Sequence, residues 1–345
     1  MKYDLTICIP TYNRGERALK NVNYLLENLE KTYTILVLDN ASTNGVEFYK
    51  KIENISRTNN QVTYIKHQTN LQFYGNYLSC FKYAKSDYII IISDEDFANL
   101  KELKSVLEQI KEDKNLGAYK GSIQPHEDLV NLGNSTIFSD TSFSVGEEAI
   151  KSFPFSNNYI TGMIYNLNLI KKYKLLDILE KNITKHKNYP HIYFDMLICA
   201  KCNVKLSSKV VALEGASELT NTKDEQGNQA YSFDHIVLYG FGERINQFFS
   251  LRDGIWDAVE LLNVKNSNDK FLIFINIYAK LVEKYFYLIS KVNMNAYKQN
   301  HLEESLLNEA FYYICASGIF AYPQIKPYEK EVANILSAIY QQYKS

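Results

Sequence analysis

Five cysteines in 345 residues, an odd number, exclude a disulfide framework. Cys199 and Cys202 form a C-x-x-C, yet no second pair matches it, and the apolar neighbours Leu197, Ile198 and Val204 favour core thiols over a zinc site. A charge excess is also missing: 38 Lys and Arg stand against 39 Asp and Glu, for a net charge of -1. That balance removes any general attraction to nucleic acid or an anionic membrane, so a phosphate site has to be local. No long apolar run is uninterrupted, because Asn276, Lys280, Glu283 and Lys284 break the richest stretch, Phe271 to Ile289. Such a segment is not expected to cross a bilayer. The opening Met1-Lys2-Tyr3-Asp4-Leu5 lacks an apolar signal core and soon meets Pro10, which predicts a cytoplasmic chain. Peripheral contact with the inner face of the cytoplasmic membrane stays open. Internal repeats and low-complexity tracts are absent from the sequence.

What is present suits a globular protein. With 46% hydrophobic residues the chain can bury a large core in one large domain or two ordinary ones. Leu5 to Ile9 reads as a strand, and Leu19, Val22, Leu25, Leu26 and Leu29 then recur at helical spacing. Ile35 to Leu38 and Val62 to Ile65 read as further strands, and Gly75 to Ala84 as a helix. Tyr88-Ile89-Ile90-Ile91-Ile92 has the unbroken apolar character of a buried parallel strand. Asn99 is placed to cap the next helix, which carries Leu100, Leu103, Val106, Leu107 and Ile110 on one face. Repeated strand-helix units predict a mainly parallel α/β sheet with helices on both sides. Residues 117–162 are polar and punctuated by Gly, Ser and Asn, and read as loops with short strands. Beyond Asp234 the pattern turns helical, with helices expected at 242–262, 269–292, 302–319 and 327–343.

Three of the strands run into polar residues at their carboxyl ends. These are Pro10-Thr11-Tyr12-Asn13-Arg14, Asp39-Asn40-Ala41-Ser42-Thr43 and Ser93-Asp94-Glu95-Asp96. In a parallel sheet all three lie on one edge, where open α/β sheets bind ligands. Asp94 and Asp96 are two apart and, on the turn that leaves the strand, are expected to face one cation, with Glu95 turned the other way. The other reading of the acidic run is a solvated loop or helix cap, and of Asp39 and Tyr12, ordinary turn chemistry.

These motifs resemble the family 2 glycosyltransferases of the GT-A fold. Thr6 to Arg14 is similar to the family's opening strand and turn, and Leu38 to Gly45 to its second nucleotide loop. Asn70-Leu71-Gln72-Phe73-Tyr74-Gly75-Asn76 resembles its N-x-G-F-x-G-N stretch, with Gln72 in place of a glycine, and Asp94-Glu95-Asp96 its D-x-D. Together they cover roughly the first hundred residues, in the family's order. The resemblance implies a GT-A, Rossmann-like catalytic domain over 1–235, with a nucleotide-binding half (1–116) and an acceptor-binding half (117–235), followed by a helical region over 236–345. It implies transfer of a sugar from a nucleotide diphosphate, a UDP-sugar first, to a hydroxyl of a glycan or lipid-linked glycan acceptor, with inversion, in bacterial surface polysaccharide synthesis.

By the same resemblance Pro10, Thr11, Tyr12, Arg14, Asp39, Asn76, Asp94 and Glu95 would bind the nucleotide, with Asp39 and Tyr12 on the base. Asp96, Asp94 and His235 would hold Mn²⁺ or Mg²⁺, which suit oxygen ligands. Asp195, in the apolar run Tyr193 to Ile198, matches the family's base by order along the chain; the plainer reading is a helix cap. Arg14 reads either as a forked donor to the diphosphate or as a solvated side chain, and His235 as a metal ligand or an ordinary histidine. His191 reads as an orienting residue or part of a turn, and Gly162 as a point of close backbone approach or a turn glycine. Aromatics such as Phe271, Phe274, Tyr278, Tyr285, Phe286 and Tyr287 suit a core, a homodimer face or a surface on lipid, with the core favoured. The alternatives to a transferase are a catalytically silent nucleotide-binding or scaffold protein and a sugar nucleotidyltransferase. The latter wants a glycine-rich basic first loop that Ile9-Pro10-Thr11-Tyr12-Asn13 does not supply.

Overall fold

The computed structural model describes residues 3–126, 135–215, 241–288, 308–309, 311–316, 319–321 and 323–344. By its contacts the chain divides into two compact units, Met1–Ser217 and Glu218–Ser345. The expected boundary near 235 lies outside the described residues.

The first unit is built on a sheet whose first strands are β1 (Tyr3–Thr11), β2 (Tyr33–Asp39), β3 (Val62–Lys66) and β4 (Ser86–Ile91). Between them lie α1 (Gly15–Glu27), α2 (Val46–Thr58) and α3 (Gln72–Tyr83). After β4 come β5 (Phe97–Ala98), α4 (Leu100–Glu112), β6 (Leu116–Pro125), β7 (Thr141–Phe143) and α5 (Glu147–Ser152). The unit ends with β8 (Met163–Asn166), α6 (Leu167–Lys172), α7 (Leu175–Asn182), α8 (Pro190–Cys199) and β9 (Asn203–Glu214). The strand order is β3-β2-β1-β4-β8-β6-β9-β5, with β7 against β9.

The sheet is mixed rather than mainly parallel. β1, β2, β3 and β4 pair in parallel, as do β6 and β9, but β8 runs antiparallel between β4 and β6. Alternation places Leu5, Ile7 and Ile9 of β1 on one face, where they meet Ala18, Val22 and Leu25 of α1 and Leu103, Val106, Leu107 and Ile110 of α4 in a single core. Asn99 does not cap α4: its side chain donates instead to the Val210 carbonyl of β9 at 2.9 Å, fastening the start of the helix to the sheet. β6 occupies the stretch expected to be irregular. A side chain at Gly121 would meet Val211 Cγ1 at 2.4 Å, so its glycine permits close packing against β9.

The second unit contains α9 (Phe241–Leu261), α10 (Ser267–Tyr287) and α11 (Glu329–Lys344). Within the helix expected at 302–319, the described residues 308, 309 and 311 are α-helical and Tyr312–Ala316 form a π-type turn. Phe271, Phe274, Tyr278, Tyr285 and Phe286 of α10 are buried, and Phe248 of α9 packs edge-on to Tyr278 and Tyr285. Only Tyr287 of that expected aromatic set is exposed. Among the described residues no helix is long and apolar enough to cross a membrane.

Candidate active site

The parallel register sets the geometry. Thr11 lies beside Asp39, and Cys8 beside Ile91, so the carboxyl ends of β1, β2 and β4 share one edge. Thr11 Oγ1 donates to Asp94 Oδ2 at 2.8 Å and lies 2.8 Å from the Tyr49 hydroxyl. Asn13, at a left-handed φ of 57°, turns its side chain to accept from the backbone of Thr43 and Asn44. Asn40 reaches the third motif, donating to Asn70 Oδ1 and the Gln72 carbonyl and accepting from Leu71 N. Three sequence-distant motifs are thereby tied into one rim.

Each predicted residue has a definite place on that rim. Tyr12 is 44% exposed, leaving a ring face for stacking. Asp39 is fully buried; it accepts from Ser42 N at 2.8 Å and from the Tyr64 hydroxyl at 2.7 Å. Burial and the hydrogen bond to Asp39 push the Tyr64 phenol well up, so that hydroxyl stays a donor. Asn76 sits beneath the rim, donating to the Leu38 carbonyl and contacting His67 Nε2, while Pro10 pairs with Leu38 inside the sheet. Ala41 holds φ at 61°, an uncommon conformation for a residue with a Cβ, at the turn that carries Asp39.

The acidic run is oriented differently from the expectation. Asp96 N bonds the Ser93 carbonyl at 3.0 Å, closing the turn that leaves the strand. Asp94 and Glu95 share one side: Arg14 Nη1 lies 3.2 Å from both Asp94 Oδ1 and Glu95 Oε2, and Arg17 Nη1 lies 3.2 Å from the same Glu95 oxygen. Asp96 turns inward, wholly buried, and accepts from Thr161 Oγ1, the Tyr159 hydroxyl and Gly215 N. Burial raises the Asp94 carboxyl against the lowering pull of Arg14, and burial with the charge of Asp96 pushes Glu95 up to about 7. Burial also raises Asp96, opposed by the bonds from Thr161 and Tyr159.

Asp195 is held in a buried ion pair. It lies in the second turn of α8 with no exposed surface, paired to Lys120 Nζ at 2.8 Å and accepting from the Tyr165 hydroxyl at 3.0 Å. It is not the helix cap, a position that Tyr189 holds. His191, in the first turn of α8, lies 2.9 Å from the Asn158 carbonyl through Nε2 and meets Phe73 and Tyr77 edge-on. Gly162, at φ 81°, donates its N–H to the Ile91 carbonyl. His235 lies outside the described residues.

Among the described residues no group of three or more His, Cys, Asp or Glu gathers as a metal site. The facing oxygens of Asp94 and Glu95 are ion-paired instead, with Arg14 and Arg17 nitrogens 3.2 Å away. Sequence reasoning missed Arg17, Tyr159, Thr161 and Gly215. Arg17 stood within reach, three residues after Arg14 and hence on the same side of the helix start.

Comparison with known proteins agrees with this geometry. Residues 6–161 match the profile described as Glycosyl transferase family 2. No curated protein matches the chain. Among solved structures, S. aureus TarS 1-349 in complex with UDP-GlcNAc is similar with a TM-score of 0.58 at 14% identity, covering 99% of this chain and 90% of that one. The mannosyltransferase PcManGT from Pyrobaculum calidifontis, in complex with GDP-Man and Mn2+, has a TM-score of 0.50 at 12% identity, covering 100% of this chain and 84% of that one. At these identities the structural likeness speaks to the fold, and the matched profile to the family. The first unit of this chain is a glycosyltransferase domain of family 2, built on the GT-A fold.

Proposed function

We propose that the protein moves a sugar from a nucleotide diphosphate, a UDP-sugar first, to a hydroxyl of a glycan or lipid-linked glycan in bacterial surface polysaccharide synthesis. The reaction is a single direct displacement with inversion at the sugar carbon. The observation that carries this reading is the meeting of Tyr12, Asp39, Arg14 and Asp94 at one sheet edge within the family-matched segment. TarS, solved with UDP and with UDP-GlcNAc, makes uridine the first choice of base.

Chemically, Tyr12 offers its exposed ring to the base and the turn at Asp39 supplies the polar edge. Arg14 and Arg17 lie where a diphosphate would meet forked donors, which offset charge on the leaving group. Asp94 and Asp96 of the acidic turn would hold Mn²⁺ or Mg²⁺. When bound, such an ion acts as a Lewis acid toward the departing diphosphate. The proton lost by the acceptor hydroxyl passes to a base, the role that the resemblance gives to Asp195.

Thermal-shift screening of UDP-, dTDP- and GDP-sugars with Mn²⁺ identifies the donor, since a ligand that binds the folded state alone raises the melting temperature. Release of UDP from the donor should then require a divalent ion and vanish in Asp94→Asn. Full turnover in chelator would overturn the metal-assisted scheme, and binding without turnover of any donor would favour a silent nucleotide-binding protein.

A further inference from the structure

Helix α2 follows the second nucleotide loop and brings to the rim a side chain that lies outside all of the motifs. Tyr49, 2% exposed, carries its hydroxyl to the carboxyl end of β1. Two glycines make the room: a Cβ at Gly15 would stand 2.4 Å from the Gly45 carbonyl oxygen and 3.1 Å from Tyr49 Cδ2, so the start of α2 lies directly against the first residue of α1. Around that hydroxyl each proton has one place. Thr11 Oγ1 donates its proton to Asp94 Oδ2 at 2.8 Å, so at its 2.8 Å contact with Tyr49 it accepts and the phenol donates. The phenol oxygen accepts in turn from Arg14 N at 3.1 Å and from the Ser42 hydroxyl. Burial raises the Tyr49 phenol, which keeps its proton in place. Arg14 Nη1 meets Asp94 Oδ1 at 3.2 Å, and one hydroxyl thus holds both partners of that ion pair, Arg14 by its main chain and Asp94 through Thr11.

We propose that Tyr49 is a positioning residue for the diphosphate end of the donor, its hydroxyl fixing the stance of Arg14 and Asp94 while its ring supports the base end. The inference rests on reading this rim as a nucleotide-diphosphate site. The two ends separate because they depend on different parts of the side chain. The Tyr49 ring stacks at 6.4 Å on Tyr64, whose hydroxyl donates to Asp39 Oδ2 at 2.7 Å. Asp39 Oδ1 accepts from Ser42 N at 2.8 Å. Neither bond runs through the Tyr49 hydroxyl, and the Ser42 hydroxyl keeps its bond from Asn13 N without it. Tyr49→Phe therefore leaves Asp39 supported. The Arg14 N–H and the Thr11 hydroxyl each lose a bond, and the Arg14 and Asp94 pair loses its common anchor.

The test is calorimetric titration of UDP, with uridine measured by competition against UDP, in wild type, Tyr49→Phe and Thr11→Val, all in one buffer containing Mn²⁺. Thr11→Val cuts the same chain one bond further on while keeping the side-chain shape, so it carries the prediction if Tyr49→Phe does not fold. The expected result is a UDP affinity about fivefold or more lower in the variant, as the loss of one hydrogen bond implies, with uridine affinity unchanged. A purely structural role would loosen the whole rim and weaken both ligands alike, and that outcome, or no loss for UDP, overturns the proposal. Wild type that binds UDP no more tightly than uridine also overturns it, since there is then no grip on the diphosphate to position. Wild type that binds neither ligand sinks the donor-site reading itself, and the proposal with it.

Discussion

Lys120→Met separates the structural reading of Asp195 from the catalytic one. Lys120 Nζ and Asp195 Oδ2 are 2.8 Å apart, and both side chains are almost completely buried. At an effective dielectric of about 20, charges at that distance attract by about 6 kcal/mol, much of it offset by lost hydration. Removing one partner strands the other charge, and such deletions cost about 3–5 kcal/mol. Lys120 also donates to the Phe153 carbonyl at 2.8 Å and lies over the Phe153 ring, so the variant loses contacts to the start of the following loop as well. Urea unfolding at neutral pH should show a loss of about that size.

Acid should narrow the gap. Burial already raises the Asp195 carboxyl, and Lys120 is the main influence lowering it, so the variant raises it further. A carboxyl with a folded value above its unfolded one binds its proton more tightly when folded. The stability this contributes is complete below the unfolded value of about 3.9 and is lost as pH rises through the folded value. The defect of Lys120→Met should therefore be greatest at neutral pH and shrink toward pH 4, and Lys120→Met with Asp195→Leu should recover much of it. A neutral-pH loss below about 1 kcal/mol refutes the reasoning. An Asp195→Asn protein of wild-type stability that binds UDP-sugar but cannot transfer it would assign Asp195 the base role.

Two further outcomes bear on the acidic turn. Glu95 is raised from 4.5 to about 7, so its folded-state proton stabilises at low pH and that contribution fades as pH climbs through 7; Glu95→Gln should be more stable than wild type above pH 7, measured by thermal melting across pH. Gly215→Ala places a methyl 1.7 Å from the Glu95 carbonyl and should destabilise by about 1–3 kcal/mol while weakening UDP binding; an unchanged melting temperature would contradict the close approach.

What could be read from the sequence followed the range of the forces involved. β1, β2 and β4 are short-range objects, apolar runs ending in polar turns, and their sharing of an edge follows from parallel pairing alone. β6 was hidden because Gly117, Lys120 and Gly121 dilute its pattern; Lys120 is buried by an acid that follows much later in the chain. The pairing of Asp195 was hidden for the same reason, since an acid in an apolar helix gives no local sign of its partner. The facing of Glu95 depends on the turn closed by the Asp96 N to Ser93 carbonyl bond, and local spacing does not set side-chain directions in such a turn. Tyr159 and Thr161 sit in a stretch whose only signal was polarity, and no spacing rule connects them to the turn they clamp.

The asparagine lacing of the rim has a consequence for how this pocket can change over evolutionary time. Asn13 and Asn40 use side-chain amides as rungs between neighbouring strand tips, so the separation of the tips is fixed by the length of one side chain. Lengthening such a rung to glutamine or clipping it to serine would displace two loops at once. Drift in any of these turns must be answered in its neighbour, and a transplanted pocket would have to carry all three together.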